Sequence, residues 1–109
     1  MSKREAELYI EDIEEAIRKI EEYTKDLTFD DFVKDGKTID AVIRNLSIIG
    51  EAANNIPDEI KNQNSDIPWG EIAGMRNKVV HEYFGVDEEI LWKTIKEDLP
   101  IFKKQVEKL

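Results

Sequence analysis

The sequence predicts an all-α fold, an antiparallel bundle of four to five helices, on three observations. Apolar residues recur at alternating spacings of three and four along most of the chain. No stretch alternates apolar and polar residues as a half-buried strand would. The composition, 40% hydrophobic and 38% charged in 109 residues, supports a packed interior beneath a heavily solvated surface. At this length a single domain over residues 1–109 is expected.

The first helix is expected from Glu5 to Leu27, where Ile10, Ile13, Ile17, Ile20 and Leu27 form one stripe among Glu and Lys. Thr28 reads as an N-cap for a short turn through Phe29 and Phe32, broken at Asp35-Gly36 and followed by a loop. A second long helix, from about Thr38 to Asn55, carries Ile39, Val42, Leu46, Ile49, Ala53 and Ile56 on one face and Ala41, Ile48 and Ala52 on another. Two apolar faces predict a central position. The same helix has a polar strip of Arg44, Ser47, Glu51 and Asn55. That strip reads either as a solvent-facing edge with an Arg44–Glu51 interaction or as a set of residues flanking an active site. Pro57 suits the first turn of a short helix through Asn62, and Asp66 the cap before Pro68. A further helix is predicted from Trp69 to about Phe84, with Gly85 as its stop. Asp87 caps the last helix, whose stripe of Leu91, Ile95, Leu99, Phe102, Val106 and Leu109 keeps phase through Pro100, so the proline is expected to kink it rather than end it.

Several function classes are disfavoured by composition alone. No apolar run approaches the roughly 20 residues that span a bilayer, and the N-terminus MSKREAELYI is too charged for a secretory leader, so a cytoplasmic protein with no membrane partner is expected. The absence of cysteine removes disulfides, thiolate metal sites and cysteine nucleophiles together. With a single histidine, a metal site would need mostly carboxylate ligands, and none is expected. A net charge of −9 works against diffuse binding of a nucleic-acid backbone. Nucleic-acid chemistry would need a small positive site in an acidic body, or an oligomer that gathers such sites in one cleft.

The segment RNKVVHEY is where chemistry can sit. On a helix advancing about 100° per residue, Arg76 and Tyr83 nearly superpose, and Asn77 and His81 stack one turn apart. The four are therefore expected on one side, with Ile72, Met75 and Val79 on the other. A guanidinium that stabilises phosphoryl charge, beside an imidazole that moves protons near neutral pH, suits acid/base cleavage of a phosphodiester without a cofactor. RNA supplies its own nucleophile, the 2′-hydroxyl. One histidine cannot readily serve as both base and acid, a difficulty that a two-fold dimer removes by presenting two copies of the segment. Spacing alone leaves the plainer readings open: His81 as a capping residue, Arg76 as a surface charge, Tyr83 as part of an aromatic plug.

RNKVVHEY, preceded by IRNLSIIGEAANNIP and IPWGEIAGMRN, resembles the HepT-like branch of the HEPN superfamily over most of the chain. The family pattern of Arg, four residues, His, one residue, Tyr falls on Arg76, His81 and Tyr83, with a polar Asn77 after the arginine. The resemblance implies a dimeric, HEPN-like helical bundle acting as a metal-independent endoribonuclease, usually the toxin of a toxin–antitoxin module. Arg76 and His81 then inherit catalysis, with Asn77 holding His81 or a phosphate oxygen. It also implies a cognate MntA-like nucleotidyltransferase antitoxin, which transfers AMP from ATP to the motif tyrosine, here Tyr83. Arg44, Glu51 and Asn55 are a possible flanking set for this site. The competing expectations are a non-catalytic module that scaffolds a nucleotidyltransferase or binds nucleotide, and a helical protein with no site.

Overall fold

A computed structural model describes residues 3–81 and 85–109. Helix α1 (Lys3–Thr24) buries Ile13, Ile17 and Ile20 of its predicted stripe, while Ile10 and Leu27 are half-buried. It ends at Thr24 rather than Leu27. Asp26 turns the chain into the left-handed region at φ 63°, which aspartate tolerates better than most residues, and the Thr24 hydroxyl donates back to the Ile20 carbonyl at 2.8 Å.

Helix α2 (Phe29–Val33) starts on a reciprocal cap: Asp31 N–H donates to the Thr28 hydroxyl, and Thr28 N–H donates to the Asp31 carboxylate, each at 3.1 Å. Helix α3 (Gly36–Asn55) follows without the expected loop. The Asp35 carboxylate accepts from Thr38 N–H at 3.1 Å and from the Thr38 hydroxyl at 2.6 Å, so the residue read as a breaker starts the next helix.

Both apolar faces of α3 find partners. Ile39, Val42, Leu46, Ile49, Ala52, Ala53 and Ile56 are buried, α1 lies against one side, and α5 (Trp69–Ala73) and α6 (Met75–Val79) lie against the other. The second contact is very close. A β-carbon at Gly50 would stand 2.9 Å from the Ala73 carbonyl oxygen, so glycine is what allows α5 to approach. Asn45, buried in α3, donates from its amide to the Ala41 carbonyl at 2.9 Å and needs no partner elsewhere.

Between these helices, Pro57 stands at the cap position of α4 (Asp58–Gln63). Pro68, not Asp66, occupies the cap position of α5, without a side-chain cap. The Asp66 carbonyl instead accepts from the Gln105 amide at 3.4 Å. After α6 the chain forms a short antiparallel pair, β1 (Val80–His81) with β2 (Gly85–Val86), in which Val80 faces Val86 and His81 faces Gly85.

Asp87 caps α7 (Glu88–Lys93) through Ile90 N–H at 3.1 Å. The helical path then widens into a π turn at Thr94–Asp98, where Leu99 N–H bonds the Thr94 carbonyl, before narrowing into α8 (Leu99–Val106). This is how Pro100 is carried inside a helix: it has no N–H to give, its ring crowds the carbonyl four residues earlier, and a wider turn relieves both. Leu91, Ile95, Leu99, Phe102 and Val106 are all buried, as their stripe requires, and Lys103 reaches Glu21 of α1 at 3.0 Å. Among the described residues no helix is long and apolar enough to cross a membrane.

Candidate active site

The residues that carry chemistry lie on a segment more broken than its periodicity predicts. Ile72, Met75 and Val79 are buried as expected, yet the helix that should join them is interrupted at Gly74, which ends α5 and begins α6. Helix α6 stops at Val79, because Val80 takes extended angles (φ −112°, ψ 123°). Paired β-branched residues favour this change, and two interactions secure it: the Val80–Val86 pairing and a hydrogen bond from Asp87 N–H to the Val79 carbonyl at 2.7 Å. Gly85 supplies the positive φ of 77° that β2 needs at its start and is not a helix stop.

The predicted helical face therefore does not extend from Arg76 and Asn77 to His81. Arg76 and Asn77 are on α6, His81 is on β1, and Tyr83 lies outside the described residues. A four-residue helical step no longer relates Asn77 to His81, and Arg76 and His81 are placed by two elements meeting at Val79–Val80. Arg76, Asn77, Lys78 and His81 are all exposed. The Arg76 guanidinium donates to the Asn77 side-chain oxygen at 3.2 Å, so within this chain Asn77 orients the arginine.

His81 opens onto a depression of about 390 Å³ lined also by Phe29, Val86, Asp87, Glu88 and Glu89. Sequence reading identified Asp87 as a cap and missed Phe29 and the two glutamates. Phe29 comes from α2, far away in the chain, and no local signal joins it to His81.

The polar strip of α3 borders a depression other than that of His81. Arg44, Ser47, Glu51 and Asn55 are exposed, and Glu51 and Asn55 line a separate depression with Tyr9, Asp12, Ile48 and Ala52. Asn55 donates to the Glu51 carbonyl at 2.8 Å and Ser47 to the Ile43 carbonyl at 3.2 Å. The expected Arg44–Glu51 ion pair is not formed; the ion pairs among the described residues join Arg18 to Glu15 and Glu22, and Lys103 to Glu21. Within one chain the strip is a solvent-facing edge.

A family model described as ribonuclease HepT-like matches residues 13–109. The chain belongs to the HepT-like ribonuclease family. It is 55% identical over 107 residues to a protein of Thermococcus cleftensis named "Probable ribonuclease HepT", covering 98% of this chain and 97% of that protein. Two further relatives are named as candidate RNases. One, from Caldanaerobacter subterraneus, is 46% identical, covering 93% of this chain and 90% of its own. The other, from Methanocaldococcus jannaschii, is 42% identical, covering 98% of each. No solved structure gives a match. Arg76 thus sits on α6 and His81 on β1, both open to solvent.

Proposed function

We propose that this chain is a metal-independent endoribonuclease, the toxin of a toxin–antitoxin pair, and that Arg76 and His81 carry its chemistry. The observation that carries the reading is an exposed guanidinium and an exposed imidazole on one short segment, α6–β1, of a HepT-like ribonuclease. His81 takes the proton of a 2′-hydroxyl, the 2′-oxygen attacks the adjacent phosphorus, and Arg76 offsets the charge that grows on the phosphoryl oxygens. The 5′-oxygen leaves with a proton, giving a 2′,3′-cyclic phosphate and a 5′-hydroxyl. Each chain has one histidine, so a two-fold pair of chains supplies base and acid from two copies and doubles the positive charge that RNA meets. Asn77 holds Arg76 in position for the phosphate.

Control would act through Tyr83. A cognate nucleotidyltransferase of the MntA type would let the Tyr83 oxygen attack the α-phosphorus of ATP, releasing pyrophosphate and leaving AMP on the ring. Tyr83 follows His81 by two positions in the sequence, so the added phosphodiester puts negative charge and bulk next to the residues that must receive RNA.

The test is cleavage of RNA by purified protein in EDTA. Wild type should give 2′,3′-cyclic phosphate ends, while His81→Ala and Arg76→Ala should each lose about 10²–10⁴-fold in rate with unchanged helix content. Cleavage at the wild-type rate by His81→Ala would overturn the assignment. The net charge of −9 favours a second reading, a non-catalytic module that binds a nucleotidyltransferase. A stable complex without RNA cleavage would support that reading instead.

A further inference from the structure

The depression beside His81 has a composition that a phosphate-binding cleft would not have. Its lining combines one imidazole, one aromatic ring, the aliphatic Val86 and three carboxylates, those of Asp87, Glu88 and Glu89. Phosphate is repelled by such a lining, and the cations that suit it, Arg76 and Lys78, are on α6 instead. The lining matches a different part of a ribonucleotide, the base, which is flat, uncharged and edged with hydrogen-bond donors.

We propose that this depression is a nucleobase subsite, with Phe29 as its stacking platform and Glu88 and Glu89 as acceptors that favour guanine. The proposal rests on the ribonuclease reading above for its role in cleavage, though not for binding itself.

Phe29 is only half-buried and is the outer member of an aromatic group. Its ring stands 6.1 Å from that of Trp92, tilted by 58°, and Trp92 is in turn 5.0 Å from the fully buried Phe32. The Lys96 ammonium lies 4.6 Å from the Trp92 ring centre. An aromatic ring held from behind while bordering an open depression is pre-organised for stacking, since little side-chain freedom remains to be lost when a base arrives.

The carboxylates differ in availability. Asp87 is committed to capping α7. Glu88 and Glu89 make no side-chain hydrogen bond or ion pair among the described residues. An ionised carboxylate only accepts. Guanine offers two adjacent donors, N1–H and the 2-amino group, which a carboxylate can take together. Adenine and cytosine offer one amino group, and uracil sets two carbonyl oxygens beside its single N–H. The expected order is guanine first and uracil last. Stacking also supplies affinity that does not depend on neutralising phosphates, which matters in a molecule of charge −9. Only unpaired RNA can present a base in this way.

The full chain titrated with 5′-GMP, 5′-AMP, 5′-CMP and 5′-UMP tests the subsite without any cleavage, because a mononucleotide has no internucleotide bond. Amide NMR shifts should centre on Phe29, His81, Glu88 and Glu89, with 5′-GMP binding about tenfold more tightly than 5′-UMP. Phe29→Leu keeps an apolar contact with Trp92 and should weaken 5′-GMP binding about tenfold, whereas Phe29→Tyr should retain it. The paired change Glu88→Gln and Glu89→Gln should remove the preference over 5′-UMP. On a mixed-sequence RNA, wild type should cut beside guanine, and Phe29→Leu should flatten that preference. Binding of 5′-GMP in the depression by a protein that cuts no RNA would support the subsite and sink the ribonuclease assignment. RNA cleavage that ignores sequence, with no shift at Phe29 on adding 5′-GMP, would overturn the subsite and leave the ribonuclease assignment standing.

Discussion

Helices α1 and α3 and the segment from α5 to β2 share one core, and they are built differently. The first pair comprises helices of 22 and 20 residues, each held by its own hydrogen-bond ladder and a continuous apolar stripe. The second has no helix longer than five residues, two helix starts without side-chain caps, and a two-residue strand pair. The regular side supports itself locally. The broken side takes its shape from outside, through Gly50 beneath it and Asp87 after it. The residues proposed for chemistry are on the broken side, where short elements can point neighbouring side chains in directions that one helix could not.

Removing core volume should test the regular side most severely. Leu46 is fully buried in α3, and Leu46→Ala should cost about 2–5 kcal/mol in urea unfolding. Because α3 underlies both regions, they should melt together; separate transitions would show that the broken segment folds independently.

Gly50→Ala probes the boundary itself. Its β-carbon would press on the Ala73 carbonyl oxygen at 2.9 Å, a backbone atom that cannot rotate away, and the expected cost is about 1–3 kcal/mol. Hydrogen exchange should accelerate in α5, α6 and β1 before α1. Uniform acceleration would erase the distinction between the two sides.

Asp87→Ala removes the α7 cap and should cost about 1 kcal/mol by thermal unfolding, with Asp87→Asn recovering most of it, since asparagine caps as well. The backbone bond from residue 87 to Val79 survives both changes, so β1 should keep its pairing.

The smallest effect is expected in acid, on the regular side. Hydrogen bonds from Thr28 and Thr38 hold the carboxyls of Asp31 and Asp35 below their ordinary value of 3.8. Each is more acidic folded than unfolded, so its contribution is complete at neutral pH and fades as pH falls through 3.8 and then through the folded value. Both groups are exposed to solvent screening. A pH titration of stability should show this loss reduced in Asp31→Asn and Asp35→Asn.

The same contrast explains how far the sequence could be read. Stripes such as Ile13-Ile17-Ile20 and Val42-Leu46-Ile49 reveal α1 and α3 because burial there follows helical periodicity, and Thr28 and Asp87 are legible as caps because capping is local. Residues Ile72, Met75 and Val79 keep that periodicity across the break at Gly74, so the pattern conceals the interruption. The end of α6 depends on Val86 and Asp87, partners beyond the segment itself. Arg76 and His81 stand out by residue type and by family resemblance, but one is on α6 and the other on β1, so no single helical face joins them. Phe29 was invisible as a site residue, because only the folded chain brings α2 beside β1.

The contact at Gly50 also bears on the order in which the chain acquires its form. Helices α1 and α3 are joined by the short stretch from Lys25 to Asp35, so their pairing closes a small loop and can come early. Helix α5 docks on α3 where a single hydrogen atom in place of a side chain admits it, so its docking is expected to follow the formation of α3. A nascent chain would thus hold Arg76 and His81 long before it held their geometry. If docking is the late step, Gly50→Ala should hasten unfolding and leave the folding rate almost unchanged, and competence to cut would arrive with the last piece of the molecule to lock.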